Sequence, residues 1–346
     1  MRILHLIPTL TNGGAERQLA YLTRELRRRG HEVLIAYIQD GLAPAQAADL
    51  PTRKLASRRH RDPRLLAELI GVIRSWRPDV LQTWYVESDI VGGVAAVLTR
   101  TPWVLREPNT GQFYYGRAKA WLRKAIARVA ASAIVANSPG GAAYWSSPLI
   151  PNAVPLVEID AVPRTDLGAS PTVVYAGRLE AIKNVDVVIA AAAQVEGVRL
   201  IICGAGPRRK DLQRLAGESV RFTGFTREVW SIIKSADLLV SLSDFEGSPN
   251  AVLEAFAAGT PVVLSDIDAH RAMADEQCAF FAPLRDVAAT AAVIRRALDD
   301  RAEAASRARN ARRRIESMTI EMMADAYERV YREAIPLRGH DEHEQN

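Results

Sequence analysis

The chain has 346 residues, 48% hydrophobic and 25% charged with a net charge of +5, a balance that fits a globular protein long enough for two cores. No run approaches the roughly twenty apolar residues of a membrane span, and the opening MRILHLIPTL gives way to TNGGAER too soon for a secretory leader. Cys203 and Cys278 lie far apart in apolar runs and His5, His31, His60, His270, His340 and His343 show no ligand spacing, which predicts buried thiols in a reducing cytoplasm and no metal.

In chain order, apolar periodicity predicts strand and helix in turn. Residues 3–7 read as a strand, and the loop 8–14 leads into a helix over 15–29, stopped by Gly30. A strand over 33–38 is followed by a polar, arginine-rich stretch to about residue 62, then helix 63–76, strand 80–83, helix 88–99 and strand 103–105. A basic amphipathic helix over 117–130 and a strand over 133–135 complete the first half. The stretch 148–171 holds Pro148, Pro151, Pro155, Pro163 and Pro171 with little periodicity and reads as a linker. Alternation then resumes, with strands over 172–176, 199–203, 220–223, 238–240, 262–264 and 279–281 and helices over 185–194, 208–216, 228–235, 250–258 and 287–299. Two charged helical segments, 302–317 and 320–335, precede a polar tail, 338–346, expected to be disordered.

Such alternation means an α/β protein of two doubly wound parallel-sheet domains, 1–155 and 156–319. A ligand is expected at the carboxyl ends of the strands, in a cleft between the domains.

Charge is unevenly spread. Residues 1–150 carry 21 Lys and Arg against 11 Asp and Glu, the rest 24 against 29. The excess sits in Arg27 to Arg29, in Arg53 to Arg64, and in Arg117, Lys119, Arg123, Lys124 and Arg128. A basic face is most often simply solvated; few aromatics interleave these arginines and no nucleic-acid-binding signature appears, so nucleic acid is not expected and an anionic membrane surface suits the face better.

Glycine-bearing loops fall at four predicted strand ends. Gly13 and Gly14 open the first helix, where backbone N–H groups can meet an anion. Gly177 to Asn184 carries Arg178 and Lys183, two cations spaced for neighbouring phosphates. Gly204-Ala205-Gly206-Pro207 lacks the third glycine of a dinucleotide fingerprint, and Gly224-Phe225-Thr226 could edge a nucleobase. The central stretch, SDFEGSPNAVLEAFAAGTPVV, places Glu246 in a loop and Glu254 in the helix that follows, with Asn250 as its expected N-cap.

The order GGAER, ANS at 136–138, IPN at 150–152, GRLEAIKN, CGAGP, FTGF and SDFEGSPNAVLEAFAAGTPVV resembles the retaining glycosyltransferases of family 4, of GT-B fold, over about residues 1–335. The resemblance implies a metal-independent retaining hexosyltransferase that uses a nucleoside-diphosphate sugar as donor and needs no cofactor. It implies that Glu254 holds the ribose hydroxyls, that Glu246 sits by the transferred sugar, and that Arg178 and Lys183 bind the diphosphate and offset the charge that develops as it leaves. Gly13, Gly14, Phe225, Gly247, Ser248 and Asn250 would complete the donor site, and the helix 320–335 would cross back to the first domain. Asp266-Ile267-Asp268 has the spelling of a metal motif but resembles the ordinary loop after the strand.

The first domain would receive a lipid-linked or saccharide acceptor, in surface polysaccharide or glycolipid assembly, in the cytoplasm or peripherally on the inner face of the membrane. Where many members carry a histidine at the end of the strand corresponding to 103–105, this chain has Arg106, Glu107 and Asn109, which become the candidates for acceptor handling. The rival readings are a non-hydrolysing nucleotide-sugar epimerase of the same architecture and a non-catalytic nucleotide-sugar-binding protein.

Overall fold

The structure, a computed structural model, describes residues 1–11, 13–39, 49–56, 62, 64–108 and 116–336. Asn109, the tail 338–346 and part of the arginine cluster at 53–64 lie outside the described residues. The chain divides into two units, Met1–Ala153 with the segment from Ile320 onward, and Val154–Thr319.

The first unit runs β1 (Arg2–Thr9), α1 (Gly14–Arg28), β2 (Glu32–Gln39), β3 (Thr52–Lys54), α2 (Arg64–Trp76), β4 (Val80–Trp84), α3 (Val86–Thr99), β5 (Trp103–Glu107), α4 (Arg117–Ala130), β6 (Ala133–Ala136) and α5 (Pro139–Trp145). The second runs α6 (Leu156–Ala161), β7 (Thr172–Ala176), α7 (Val185–Ala192), β8 (Arg199–Cys203), α8 (Arg209–Leu215), β9 (Val220–Gly224), α9 (Val229–Ser235), β10 (Leu238–Ser241), α10 (Asn250–Ala258), β11 (Val262–Ser265), α11 (Asp268–Met273), β12 (Phe280–Ala282), α12 (Val287–Asp299) and α13 (Arg301–Arg314). The last helix, α14 (Ile320–Ala334), belongs to the first unit.

Both sheets are six-stranded and parallel, ordered β3-β2-β1-β4-β5-β6 and β12-β11-β10-β7-β8-β9. Each reverses direction once, between β1 and β4 and between β7 and β10, and there the helices leave to opposite faces and open a crevice. Parallel strands covered on both faces need apolar residues at successive positions, and β1 obeys. Ile3 and Ile7 join Leu19, Leu22 and Val104 in one layer, while Leu4 and Leu6 join Leu69, Leu81 and Leu105 in the other. Helix α14 is anchored in the first layer by Met323, Tyr327 and Tyr331. At α1 it is also held by Arg29, which bonds Asp325 and the Glu321 carbonyl, and by His31 Nε2 at 3.0 Å from Glu328.

Several elements depart from the expected pattern for physical reasons. Strand β3 lies in the arginine-rich stretch: it pairs with β2 through its backbone and exposes all its side chains, so no apolar alternation marks it. Helix α6 interrupts the proline-rich linker, using buried Ile159 to enter the second core. Asn250 is not the N-cap of α10; Pro249 is, and Asn250 is the first helical residue.

Candidate functional site

In the second unit, the loops after β7 and β10 meet at the point where the sheet reverses. The Tyr175 hydroxyl donates to the Arg178 carbonyl at 2.9 Å, pinning the first loop from beneath. Asn184 closes it in the left-handed conformation, φ 48°, and from there its amide reaches the neighbouring loop, donating to Leu242 O at 2.9 Å and Asp244 Oδ1 at 2.7 Å. Asp244 returns a backbone bond to Ile182 O at 2.9 Å. Its carboxyl is held below the usual range by the hydrogen bond from Arg285, which it receives along with that of Asn184.

This stitching places Lys183 Nζ 2.5 Å from Glu246 Oε1, the oxygen that also accepts from Ser243 Oγ at 2.6 Å. Lys183 is 20% exposed and Glu246 11%, so the pair is half-buried at the strand ends. Loop spacing marked Lys183 as a candidate phosphate cation and the family resemblance marked Glu246; their contact needed the fold. Asn184, Ser243 and Asp244, which build the contact, were not singled out. The signal at Asn184 was its place just before a helix, at a position needing positive φ, which asparagine tolerates.

The CGAGP loop serves the same construction from the side. A Cβ at Gly204 would fall 1.8 Å from the Gly177 carbonyl oxygen, and one at Gly206 within 2.7 Å of the Leu179 backbone. The two backbones lie against each other, joined by Leu179 N to Ala205 O at 3.0 Å and Gly177 N to Cys203 O at 2.9 Å. These glycines therefore hold the Arg178 loop, a use distinct from cradling a phosphate.

Arg178 itself is 71% exposed and pairs with Glu180 at 2.6 Å, apart from the Lys183–Glu246 contact. Glu254 is 5% exposed, on the fifth residue of α10. Gly247 is buried, Ser248 and Asn250 are half-buried, and Phe225 is an exposed aromatic just past β9. Among the described residues no group of three or more His, Cys, Asp or Glu side chains is gathered as a metal site would require.

In the first unit, Gly13 is the N-cap of α1, with the Glu16 carboxylate folded into the space that a Cβ would take and Thr11 Oγ1 donating to it at 2.9 Å. Arg106 and Glu107 are both buried, on opposite faces of β5 as successive strand residues must be. Arg106 lies 4.3 Å over the Trp84 ring and donates to Tyr327 at 3.1 Å and Asn152 Oδ1 at 2.7 Å, which ties β5 to α14. Glu107 accepts from Arg123 and, at 2.9 Å, from Trp145 Nε1.

Arg123 was expected in the basic surface and is instead buried, because two acids claim it: Glu107 and Asp89, the latter at 2.6 Å. Burial pushes the Asp89 carboxyl up to about 6, against the pull of Arg123 and Thr83. With Arg123 turned inward, α4 shows outward Lys119, Arg128, Leu122, Val129 and a 71% exposed Trp121, and carries no acidic residue. Arg28 and Arg29 are likewise engaged, both with Glu25 at 2.7 Å.

Comparison with known proteins places this architecture. Residues 12–156 match the family model described as Glycosyltransferase Family 4, and residues 170–300 the model described as Glycosyl transferases group 1. A glycogen synthase of Mycobacterium tuberculosis (strain ATCC 25618 / H37Rv) is 30% identical over 281 residues, 72% of this chain and 67% of the relative. The lipopolysaccharide core biosynthesis glycosyltransferase LpsE of Rhizobium meliloti (strain 1021) is 28% identical over 275 residues, 73% of this chain and 75% of the relative. The crystal structure of Anabaena Alr3699/HepE in complex with UDP and glucose superposes with a TM-score of 0.85 at 18% identity, covering 95% of this chain and 98% of that one. With its two parallel sheets of one strand order and both family models matched in succession, the chain belongs to the group 1, family 4 glycosyltransferases and has their GT-B fold.

Proposed function

We propose that this glycosyltransferase moves a hexose-type sugar from a nucleoside diphosphate to an acceptor hydroxyl, with retention at the anomeric carbon and without a metal, in surface polysaccharide or glycolipid assembly. The observation that carries the reading is the half-buried Lys183–Glu246 contact, 2.5 Å long, at the reversal point of the second sheet. A cation that can exchange a carboxylate for a phosphate suits a site where the bond from the anomeric carbon to the β-phosphate oxygen breaks and negative charge collects on the leaving diphosphate. Arg178, on the same loop and largely exposed, can swing from Glu180 to that diphosphate.

In this reading Glu254 takes the ribose hydroxyls, Phe225 walls the base, and Gly247, Ser248 and Asn250 line the donor. The acceptor oxygen attacks on the face the diphosphate leaves, and its proton departs with the phosphate. Arg106 and Glu107, being buried, act on an acceptor only by shaping the end of β5.

The reading places the protein in the cytoplasm, peripherally on the inner face of the membrane, for a lipid-linked or saccharide acceptor. Its support is the acid-free α4, with exposed Trp121 and Leu122 beside Lys119 and Arg128. Aromatic and basic side chains together suit an anionic interface, each basic residue near the surface contributing about 1 kcal/mol. Among the described residues, no helix is long and apolar enough to cross a membrane.

The test is a thermal-shift panel of UDP, GDP and ADP and of their glucose or mannose esters, with and without EDTA, on the wild type and Glu254→Ala. A ligand at a hundred times its dissociation constant adds about 2.7 kcal/mol of stability. One nucleotide should raise the midpoint equally with and without EDTA, and Glu254→Ala should lose the response. A panel with no shift at any nucleotide overturns the donor reading; a shift abolished by EDTA overturns metal independence.

A further inference from the structure

Behind the Lys183–Glu246 contact lies a chain of hydrogen bonds whose direction the chemistry of each atom fixes. Ser243 Oγ donates to Glu246 Oε1, because a carboxylate only accepts. Ser265 Oγ, at the end of β11, lies 2.6 Å from the Ser243 carbonyl oxygen, which also only accepts, so the single hydroxyl proton of Ser265 is committed there. His270 Nδ1 then stands 3.1 Å from that same hydroxyl oxygen and 2.9 Å from the Ser265 carbonyl oxygen. Neither oxygen has a proton to give, so Nδ1 must carry one and donate.

His270 is fully buried, on α11, the short helix after β11, and its Nε2 has no hydrogen-bond partner among the described residues. A second proton on Nε2 would leave a buried cation with an orphan donor, a costly state. Burial accordingly lowers the tendency of the ring to charge, and the ring senses both Glu246 and Lys183.

We propose that His270, as its Nδ1–H tautomer, is a positioning residue that fixes Glu246, and through it Lys183, by way of Ser265 and Ser243. The ring holds the end of β11 so that the Ser265 hydroxyl meets the Ser243 carbonyl, and that in turn aims the Ser243 hydroxyl at Glu246. The proposal rests on the donor-site reading above only for its affinity readout. The chain of bonds itself exists without a ligand.

The test separates the two ring nitrogens and the two hypotheses. His270→Asn keeps a donor at the Nδ1 position, whereas His270→Gln moves the amide to the Nε2 position, and each is combined with Glu246→Gln. Thermal midpoints and, with UDP-glucose as the probe, affinities are measured for the three single and two double variants, and the ring tautomer is read from ¹⁵N-histidine spectra of the wild type. We expect His270→Asn to hold affinity within about threefold and His270→Gln to lose about tenfold, the scale of a mispositioned charged hydrogen bond. In the Glu246→Gln background, His270→Gln should cost nothing further, because effects that act through one residue do not add.

Additive losses, equal effects of Asn and Gln, or a wild-type ring protonated on Nε2 would each overturn the proposal. If the wild type binds no UDP-glucose, the same cycle is read on the thermal midpoint. There, non-additivity of His270→Gln with Glu246→Gln supports the relay and additivity overturns it, while the failed binding bears on the donor reading for that nucleotide alone.

Discussion

Asp89→Asn should change how the stability of the first unit depends on pH, and the sign follows from the burial of the site. Asp89 shares Arg123 with Glu107, so one guanidinium faces two buried carboxylates, and burial wins over the ion pair to raise the Asp89 carboxyl from 3.8 to about 6. A carboxyl with its folded pKa above the unfolded one binds more protons in the folded state between the two values, so stability falls as pH rises through that window. The displacement corresponds to about 3 kcal/mol at roughly 1.4 kcal/mol per pKa unit, present as a penalty above pH ~6 and absent below pH ~4. Asparagine cannot titrate and keeps one of the two acceptors: with its amide oxygen on Arg123 Nε, its NH2 faces the Thr83 hydroxyl, which can accept. Urea unfolding followed by tryptophan fluorescence suits the measurement, because Trp76, Trp84, Trp103, Trp121 and Trp145 lie in the first unit and only Trp230 in the second. Wild-type stability minus variant stability should fall by up to about 3 kcal/mol between pH 4 and 7; subtraction removes the many carboxylates titrating in both proteins. A flat difference, or one that rises, would show that Arg123 rather than burial sets this carboxyl, and the argument would fail.

Asn184→Ala removes two hydrogen bonds that stitch the loops and leaves alanine at φ 48°, so unfolding of the second unit should be easier by about 2–3 kcal/mol, seen in a denaturant midpoint. Gly204→Ala forces a methyl to 1.8 Å from a backbone oxygen that cannot step aside, and should cost the second unit about 3 kcal/mol or more and abolish any nucleotide-induced thermal shift. Trp121→Ser, at an exposed position, should leave the thermal midpoint unchanged yet lower sedimentation with phosphatidylglycerol vesicles about tenfold at low salt.

Glycine and proline punctuation carried most of what could be read from the chain. Every strand of the second sheet ends at a polar or glycine-bearing loop, and the apolar runs before those loops mark the strands because a parallel sheet buries both faces. Strand β3 escaped for the converse reason: an exposed edge satisfies its backbone without burying anything. At the site, residue types were legible where chemistry restricts them, as with Lys183 and Glu246 on the loops after β7 and β10. Partners were not. Arg123 looks like any other cation of a basic helix until the fold brings Asp89 and Glu107, 34 residues and 16 residues away, onto its guanidinium. His270 shows no ligand spacing because its bonds go to a serine five residues back and, through it, to a neighbouring strand end.

The two units share a strand order but use their strand ends differently, and the difference bears on the proposed donor site. In the first, Arg106, Glu107, Asp89 and Arg123 are fully buried and bonded to one another's elements. To engage a ligand they would have to abandon partners in a medium where an unpaired charge costs several kcal/mol. Such groups hold β4, β5, α4 and α14 in register and cannot answer to an arriving anion. In the second, Lys183, Glu246 and Arg178 are each paired but reachable, and water can take over a released partner at modest cost. Charges that can exchange partners are the ones able to stabilise a diphosphate only as it forms, which is why the loops after β7 and β10 are the ones we propose for the donor.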